Sequence, residues 1–168
     1  MLTLILGGVK SGKTKLALSI AEQENWKHYY IATARPIDEE MKERIEKHKQ
    51  ERGNKWKTIE EPIELAKALR SIPENSTIVV DCLTTWLTNL LVENYDYEKK
   101  IDELLEVLSE VKSEVNIVLV SNEVGLGVLP ESKLGRRFID LIGVLHQQIA
   151  KIADKVYFVV CGHALSIK

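Results

Sequence analysis

Leu2-Thr3-Leu4-Ile5-Leu6-Gly7-Gly8-Val9-Lys10-Ser11-Gly12-Lys13-Thr14-Lys15-Leu16-Ala17 opens the chain, and its reading decides the fold. The apolar run Leu2 to Leu6 has the form of a buried strand. Gly7-x-x-x-x-Gly12-Lys13-Thr14 follows, and a helical pattern continues through Leu16, Ala17, Leu18 and Ile20. Strand, glycine-rich loop and helix in that order are the context of a phosphate-binding loop. Gly7 and Gly12 let the backbone through Gly8, Val9, Lys10 and Ser11 curl with its N–H groups inward. The helix that follows aims its positive end at the same point. Lys13 reaches outer phosphates as a point charge, and the Thr14 hydroxyl suits a magnesium ion. The alternative, a glycine-rich turn that happens to end in Lys-Thr, leaves the strand before it and the helix after it unexplained.

Outward from this loop the chain repeats strand and helix. His28 to Ala34, Thr77 to Asp81, Asn116 to Val120 and Lys155 to Val160 read as further strands. Helical patterns cover Asp38 to about Gln50, Ile63 to Leu69, Leu83 to Val92, Tyr97 to Ser113 and Lys133 to Ala153. Trp56 and Glu60 fall in a connection, after a helix stop at Gly53-Asn54. About five near-continuous apolar strands alternating with helices predict an α/β fold with a mainly parallel sheet covered on both faces. The expectation is a P-loop NTPase in one domain spanning 1–168, with its ligands at the C-terminal strand edge. The strand Thr77 to Asp81 is β-branched and ends in a carboxylate, the form of a Walker B strand whose acid holds magnesium directly or through water. Asp81 could equally cap the helix that follows, and the two roles are compatible.

Composition excludes several classes. A net charge of −2 offers no electrostatic reason for a nucleic-acid partner. Two cysteines, Cys82 and Cys161, without paired spacing argue against a disulfide framework or zinc site and fit a reducing cytoplasm. The N-terminus enters the first strand directly, so no signal peptide is expected. No apolar run approaches the roughly 20 residues of a membrane span.

A phosphate-binding loop alone does not distinguish switch, motor and kinase. A GTPase switch normally shows Asp-x-x-Gly after the Walker B strand, where this chain has Asp81-Cys82-Leu83-Thr84. Asn54-Lys55-Trp56-Lys57 starts like a guanine-reading Asn-Lys-x-Asp but lacks the Asp. A large motor is excluded by length, which leaves a small transferase working by positioning and charge stabilisation. His48 is the second informative residue. Arg44 and Arg52 flank it one turn away on the same face, provided the helix extends to Arg52. Two cations would keep the imidazole neutral and could hold an incoming phosphate. A neutral imidazole attacking phosphorus would give a covalent phosphoramidate. Spacing alone favours a solvated histidine on a charged helix. His28, His146 and His163 have no comparable company and read as structural or solvated.

The loop Gly7 to Thr14, Tyr30-Ile31-Ala32-Thr33-Ala34, Arg44-Ile45-Glu46-Lys47-His48, Trp56-Lys57-Thr58-Ile59-Glu60, Asp81-Cys82-Leu83-Thr84, Val120-Ser121-Asn122-Glu123-Val124-Gly125 and Leu134-Gly135-Arg136 occur in this order. In that series the chain resembles the bifunctional adenosylcobinamide kinase/adenosylcobinamide-phosphate guanylyltransferase family from Met1 nearly to Lys168. The resemblance implies a RecA-like sheet, a homotrimer, and two reactions with ATP or GTP and Mg2+. The first would phosphorylate adenosylcobinamide. The second would pass GMP from GTP to the resulting phosphate through a guanylylated histidine, a role that falls on His48. It further implies nucleotide contacts by the loop, by Ala32, Thr33 and Ala34, by Lys49, Gln50, Glu51 and Arg52, and by Glu60 and Asp81. Lys10, Thr14 and Lys49 stand where Arg, Ser and Arg are common, and His146 where Asn is usual. The rival expectations are a small-molecule P-loop kinase without a covalent step and a nucleotide-gated binding protein.

Overall fold

The structure is a computed structural model that describes residues 1–168, the side chains of Arg44, His48 and Glu51 excepted. Among the described residues, seven strands form one sheet: β1 (Leu2–Gly7), β2 (Lys27–Ala32), β3 (Trp56–Glu60), β4 (Ser76–Asp81), β5 (Asn116–Asn122), β6 (Lys155–Val160) and β7 (His163–Ser166). Their spatial order is β3-β2-β4-β5-β1-β6-β7. Every pair is parallel except β6 with β7. The helices are α1 (Lys13–Ala21), α2 (Glu39–Arg52), α3 (Leu65–Arg70), α4 (Leu83–Val92), α5 (Tyr97–Val111) and α6 (Lys133–Ile152).

The apolar runs are continuous because both sheet faces are covered. Leu2, Leu4, Ile78, Val80, Ile117 and Leu119 point to the face packed by α3, α4, α5 and α6. Ile5, Val79, Val118 and Val120 alternate to the other face, where Ala17 and Ala21 of α1 close the core. Trp86, expected as core, is 1% exposed and donates its indole N–H to the Ile63 carbonyl at 2.9 Å.

Two strands go beyond the five expected. β3 is a short edge strand, and its Trp56 packs edge-on to Tyr30 with ring centroids 6.2 Å apart. Tertiary pairing to β2, rather than local propensity, makes this segment a strand. β7 returns from β6 through Cys161-Gly162, whose φ angles of 52° and 81° fit a two-residue hairpin turn of the primed type. Cys-Gly is a weak signal for such a turn compared with Asn-Gly. Helix α3 begins at Leu65 rather than Ile63. The Glu61 carboxylate accepts from the N–H groups of Ile63 and Glu64 at 3.0 and 2.8 Å, so the turn after Pro62 is held by that side chain.

Register carries the fold to the site. Ala32 pairs with both Glu60 and Asp81, and Gly7 with Asn122. The C-terminal ends of five strands therefore share one edge. The chain leaving β1 crosses towards β2 on one face, and the chain leaving β5 crosses to β6 on the other. This is the topological switch at which open α/β sheets bind ligands.

Candidate functional site

The phosphate-loop reading is realised between β1 and α1. Gly12 sits at the N-cap of α1 with φ 104° and no side-chain cap, which leaves the first N–H groups of the helix free for an anion. A Cβ on Gly7 would lie 2.5 Å from the Val159 carbonyl oxygen, so β6 admits only glycine there. The β6–β7 turn braces the loop from behind, with Gly162 N–H donating to the Ser11 carbonyl at 2.9 Å. Ser11 Oγ is buried without a partner among the described groups. Lys13 is 7% exposed, and its Nζ donates to the Gly8 carbonyl at 2.6 Å. Burial pulls the Lys13 ammonium below the usual lysine range, and the nearby Asp81 charge opposes that pull. Val9 is 74% exposed at the tip of the loop.

Asp81, at the end of β4, joins this loop. Its Oδ2 accepts from Thr14 Oγ1 at 2.9 Å and from the Tyr30 hydroxyl at 2.6 Å. The cap of α4 is Cys82, not Asp81: the Cys82 Sγ accepts from Thr85 N–H at 3.5 Å. A hydroxyl and a carboxylate this close form a hard oxygen set at a phosphate loop, which fits magnesium. Burial pushes the Cys82 thiol up, so it stays protonated and offers no nucleophile.

Two clefts meet at this carboxylate. One of about 610 Å³ lies over the loop, with Lys10, Lys13, Thr14 and Lys47 in its wall. The other, of about 210 Å³, lies between α2 and the strand ends, with Ala32, Ala34, Lys49, Arg52, Glu60 and Thr85 in its wall. Asp81, Cys82 and Asn122 line both.

The remaining expected residues divide. Thr33 is fully buried and does not reach a cleft; it holds the bend after Asp81 by donating to the Cys82 carbonyl and accepting from its N–H, both at 2.8 Å. Lys49 Nζ stands 4.0 Å from Glu60 Oε1 across the smaller cleft. Gln50 is exposed, donates to Glu46 at 3.4 Å and lines neither of these clefts. Helix α2 does extend to Arg52 and stops at Gly53, as expected. The side chains of Arg44, His48 and Glu51 lie outside the described residues. Arg52 is 8% exposed, with its guanidinium carbon 3.6 Å over the Tyr30 ring and an Nη donating to Thr58 at 3.4 Å.

Tyr30, Asn122 and Lys47 were not singled out from the sequence as site residues. Asn122 carried a signal, as a polar residue ending an apolar strand before glycines. Tyr30 carried none, because an aromatic inside a strand reads as core. Asn122 is anchored by its N–H donating to Thr84 Oγ1 at 2.8 Å, and Thr84 lies 3.3 Å from Ser121 Oγ. His146 completes this cluster. It is buried, with Nε2 2.7 Å from Ser121 Oγ, so the histidine makes a polar contact where asparagine is usual in the resembling family.

Comparison with known proteins decides the lineage. The family described as cobinamide kinase / cobinamide phosphate guanyltransferase matches residues 3–167. This chain belongs to that family. The bifunctional adenosylcobalamin biosynthesis protein CobP of Pseudomonas aeruginosa is 46% identical over 173 residues, covering 100% of this chain and 98% of its own. The CobU protein of Escherichia coli, bearing the same description, is 37% identical over 183 residues with both chains fully covered. Among solved structures, the flagellar accessory protein FlaH from Methanocaldococcus jannaschii aligns at TM-score 0.58 and 17% identity, over 99% of this chain and 77% of its own. The RadB recombinase aligns at TM-score 0.56 and 16% identity, over 94% and 73%. These structural neighbours bear out the RecA-like P-loop fold for this kinase/guanyltransferase family member and carry nothing further. No helix among the described residues is long and apolar enough to cross a membrane.

Proposed function

We propose that the protein phosphorylates adenosylcobinamide with ATP or GTP and then converts the phosphate to adenosylcobinamide-GDP with a second GTP. The observation that carries this reading is the meeting of two clefts at one carboxylate: Asp81, hydrogen-bonded to Thr14, is common to the loop cleft and the smaller one. One binds phosphates by a nest and a lysine. The other offers Lys49 and Arg52 beneath α2, the helix that carries position 48 between Ile45 and Lys49.

In the first reaction the loop N–H groups and Lys13 hold the nucleotide phosphates while the substrate hydroxyl oxygen attacks the γ-phosphorus. The nucleoside diphosphate leaves, and the hydroxyl proton is released. Magnesium, held through Thr14 and Asp81, supplies neutralisation of phosphate charge when bound. In the second reaction a neutral His48 nitrogen attacks the α-phosphorus of GTP and pyrophosphate leaves. A phosphate oxygen of the cobinamide phosphate then attacks the same phosphorus, and the histidine leaves. Arg44, Lys49 and Arg52 balance the charge on the transferring group, with Ala32, Ala34, Glu51 and Glu60 around the nucleotide.

The same reading places the enzyme in the cytoplasm, which its free Cys82 and Cys161 suit, and makes it a homotrimer. Leu126, Val128 and Leu129, at 80%, 95% and 66% exposure, favour a subunit contact on the loop after β5. Light scattering in solution tests the trimer. Intact mass after incubation with GTP and magnesium tests the chemistry. An acid-labile adduct of GMP mass mapped to His48 is expected. ATP turnover on adenosylcobinamide with no adduct would leave a kinase alone, and tight nucleotide binding without turnover would leave a binding protein.

A further inference from the structure

Asp81 is the carboxylate common to both clefts, and what holds it is not part of the phosphate loop alone. Its Oδ2 takes two donors, Thr14 Oγ1 from α1 and the Tyr30 hydroxyl from β2. Tyr30 is 3% exposed and is fixed on every side. Its backbone pairs with Thr58 of β3 and Val79 of β4. Trp56 meets its ring edge-on, and the Arg52 guanidinium lies 3.6 Å over its face. The ring therefore has one position, and its hydroxyl reaches one acceptor. A carboxylate with Oδ2 held in this way can turn only Oδ1 to a cation.

We propose that Tyr30 is a positioning residue, whose hydroxyl fixes the Asp81 carboxylate in the one orientation that serves a magnesium-bound nucleotide. The proposal rests on Asp81 being the magnesium-site acid. Burial first, then the Asp81 charge and the hydrogen bond to it, raises Tyr30 well above the ordinary tyrosine range. The phenol thus remains a donor and takes no part as a base. The guanidinium over its face belongs to the last residue of α2, so the aromatic ring also ties that helix to the carboxylate.

Tyr30→Phe removes the hydroxyl and keeps the ring, its burial and the Arg52 contact. The probe is a fluorescent, non-hydrolysable GTP analogue, titrated against the full chain in EDTA and across a magnesium series. A hydrogen bond to a charged acceptor is worth enough to shift a binding constant about tenfold. In EDTA, Tyr30→Phe is expected to bind the analogue as the native protein does, while its half-saturating magnesium concentration rises about tenfold. In an Asp81→Asn background the same change is expected to add nothing, because Tyr30 acts through that carboxylate. Native protein carrying Cζ-labelled tyrosine gives a second readout, the Tyr30 resonance being assigned among the five tyrosines by its loss in Tyr30→Phe. The Tyr30 resonance should move when magnesium is added to the analogue complex and stay still when the analogue is added in EDTA. An unchanged magnesium dependence in Tyr30→Phe, an equal shift in the Asp81→Asn background, or a Tyr30 resonance indifferent to magnesium each overturns the role. If Asp81→Asn itself leaves magnesium dependence native, the reading of Asp81 falls and this inference falls with it. If only Tyr30→Phe is silent, Asp81 stands and Tyr30 is a core residue.

Discussion

Replacing Arg52 with Met separates stability from function in a way the geometry makes quantitative. Arg52 is only 8% exposed. Among the described residues no carboxylate pairs with it, and its Nε is buried without a partner. Among the described groups it is held by the Tyr30 ring at 3.6 Å and one long hydrogen bond of 3.4 Å to Thr58. A desolvated cation–π contact is worth about 2 kcal/mol and the stretched hydrogen bond about 0.5 kcal/mol. Desolvating the cation costs a similar amount or more, several kcal/mol even after relaxation. Methionine keeps most of the apolar stem against Tyr30 and carries no charge to desolvate. The two sides nearly cancel, so the expected change in stability lies within about 1 kcal/mol. For a domain of this size that is about 2–4 °C in Tm, and in either direction. Function should not cancel. Losing a charge-assisted contact to phosphate costs about 1.5–3 kcal/mol, or roughly a 10- to 150-fold loss in the rate of GMP-adduct formation at limiting GTP. Scanning fluorimetry and time-resolved intact mass read the two quantities on one preparation. A Tm lowered by more than about 8 °C with native adduct formation would refute the reasoning, because Arg52 would then be a structural cation.

His48→Ala is expected to abolish the GMP adduct and guanylyl transfer while part of the kinase activity survives, measured by separate product assays on adenosylcobinamide and its phosphate. Equal loss of both with the fold intact would count against separable roles. Trp86→Ala removes a side chain 1% exposed together with its hydrogen bond to Ile63, and should cost about 3–5 kcal/mol in urea unfolding. Burial lowers the His146 pKa below the usual histidine value, with Glu123 opposing it. Its stability contribution is therefore complete above the unfolded histidine pKa and is lost as pH falls from there through the depressed folded value. His146→Asn should flatten the pH dependence of Tm across that window and leave its slope on the alkaline side unchanged, whatever the change in level there; an unchanged acid slope would refute it.

The sheet interior was legible because burial on both faces leaves an apolar run that no solvent-exposed element shows. Leu2 to Leu6, Thr77 to Asp81 and Asn116 to Val120 all read correctly for that reason. The edge strands were not legible. Trp56 to Glu60 and His163 to Ser166 are strands only because a neighbour pairs with them, and no local pattern encodes a neighbour. The loop residues were legible because glycine, lysine and threonine have few other reasons to occur at that spacing. Lys13, Thr14 and Asp81 did come together. Thr33 shows the limit: its position beside the site is real, but its hydroxyl is spent on the Cys82 backbone. Tyr30 was invisible, since nothing in a strand aromatic says that its hydroxyl meets a carboxylate 51 residues away.

The two clefts differ in what holds them in shape. The loop cleft is built on packing: β1 is central, Gly7 admits no side chain against Val159, and the β6–β7 turn backs Ser11. The smaller cleft is roofed by α2, a helix with Met41 and Ile45 as its apolar residues and charged residues for most of the rest. Such a helix gains little from burial and depends on its polar contacts. Those that tie its C-terminal end to the sheet include the Arg52 stack on Tyr30, with its 3.4 Å hydrogen bond to Thr58, and the 4.0 Å approach of Lys49 to Glu60. Both involve the cations proposed to hold phosphate. A nucleotide in the smaller cleft therefore competes for the contacts that secure its own roof, whereas a nucleotide on the loop meets a scaffold that does not need it. Phosphate affinity and helix placement are separable on the loop side and coupled on the other, so charge substitutions in α2 should move binding and helix order together.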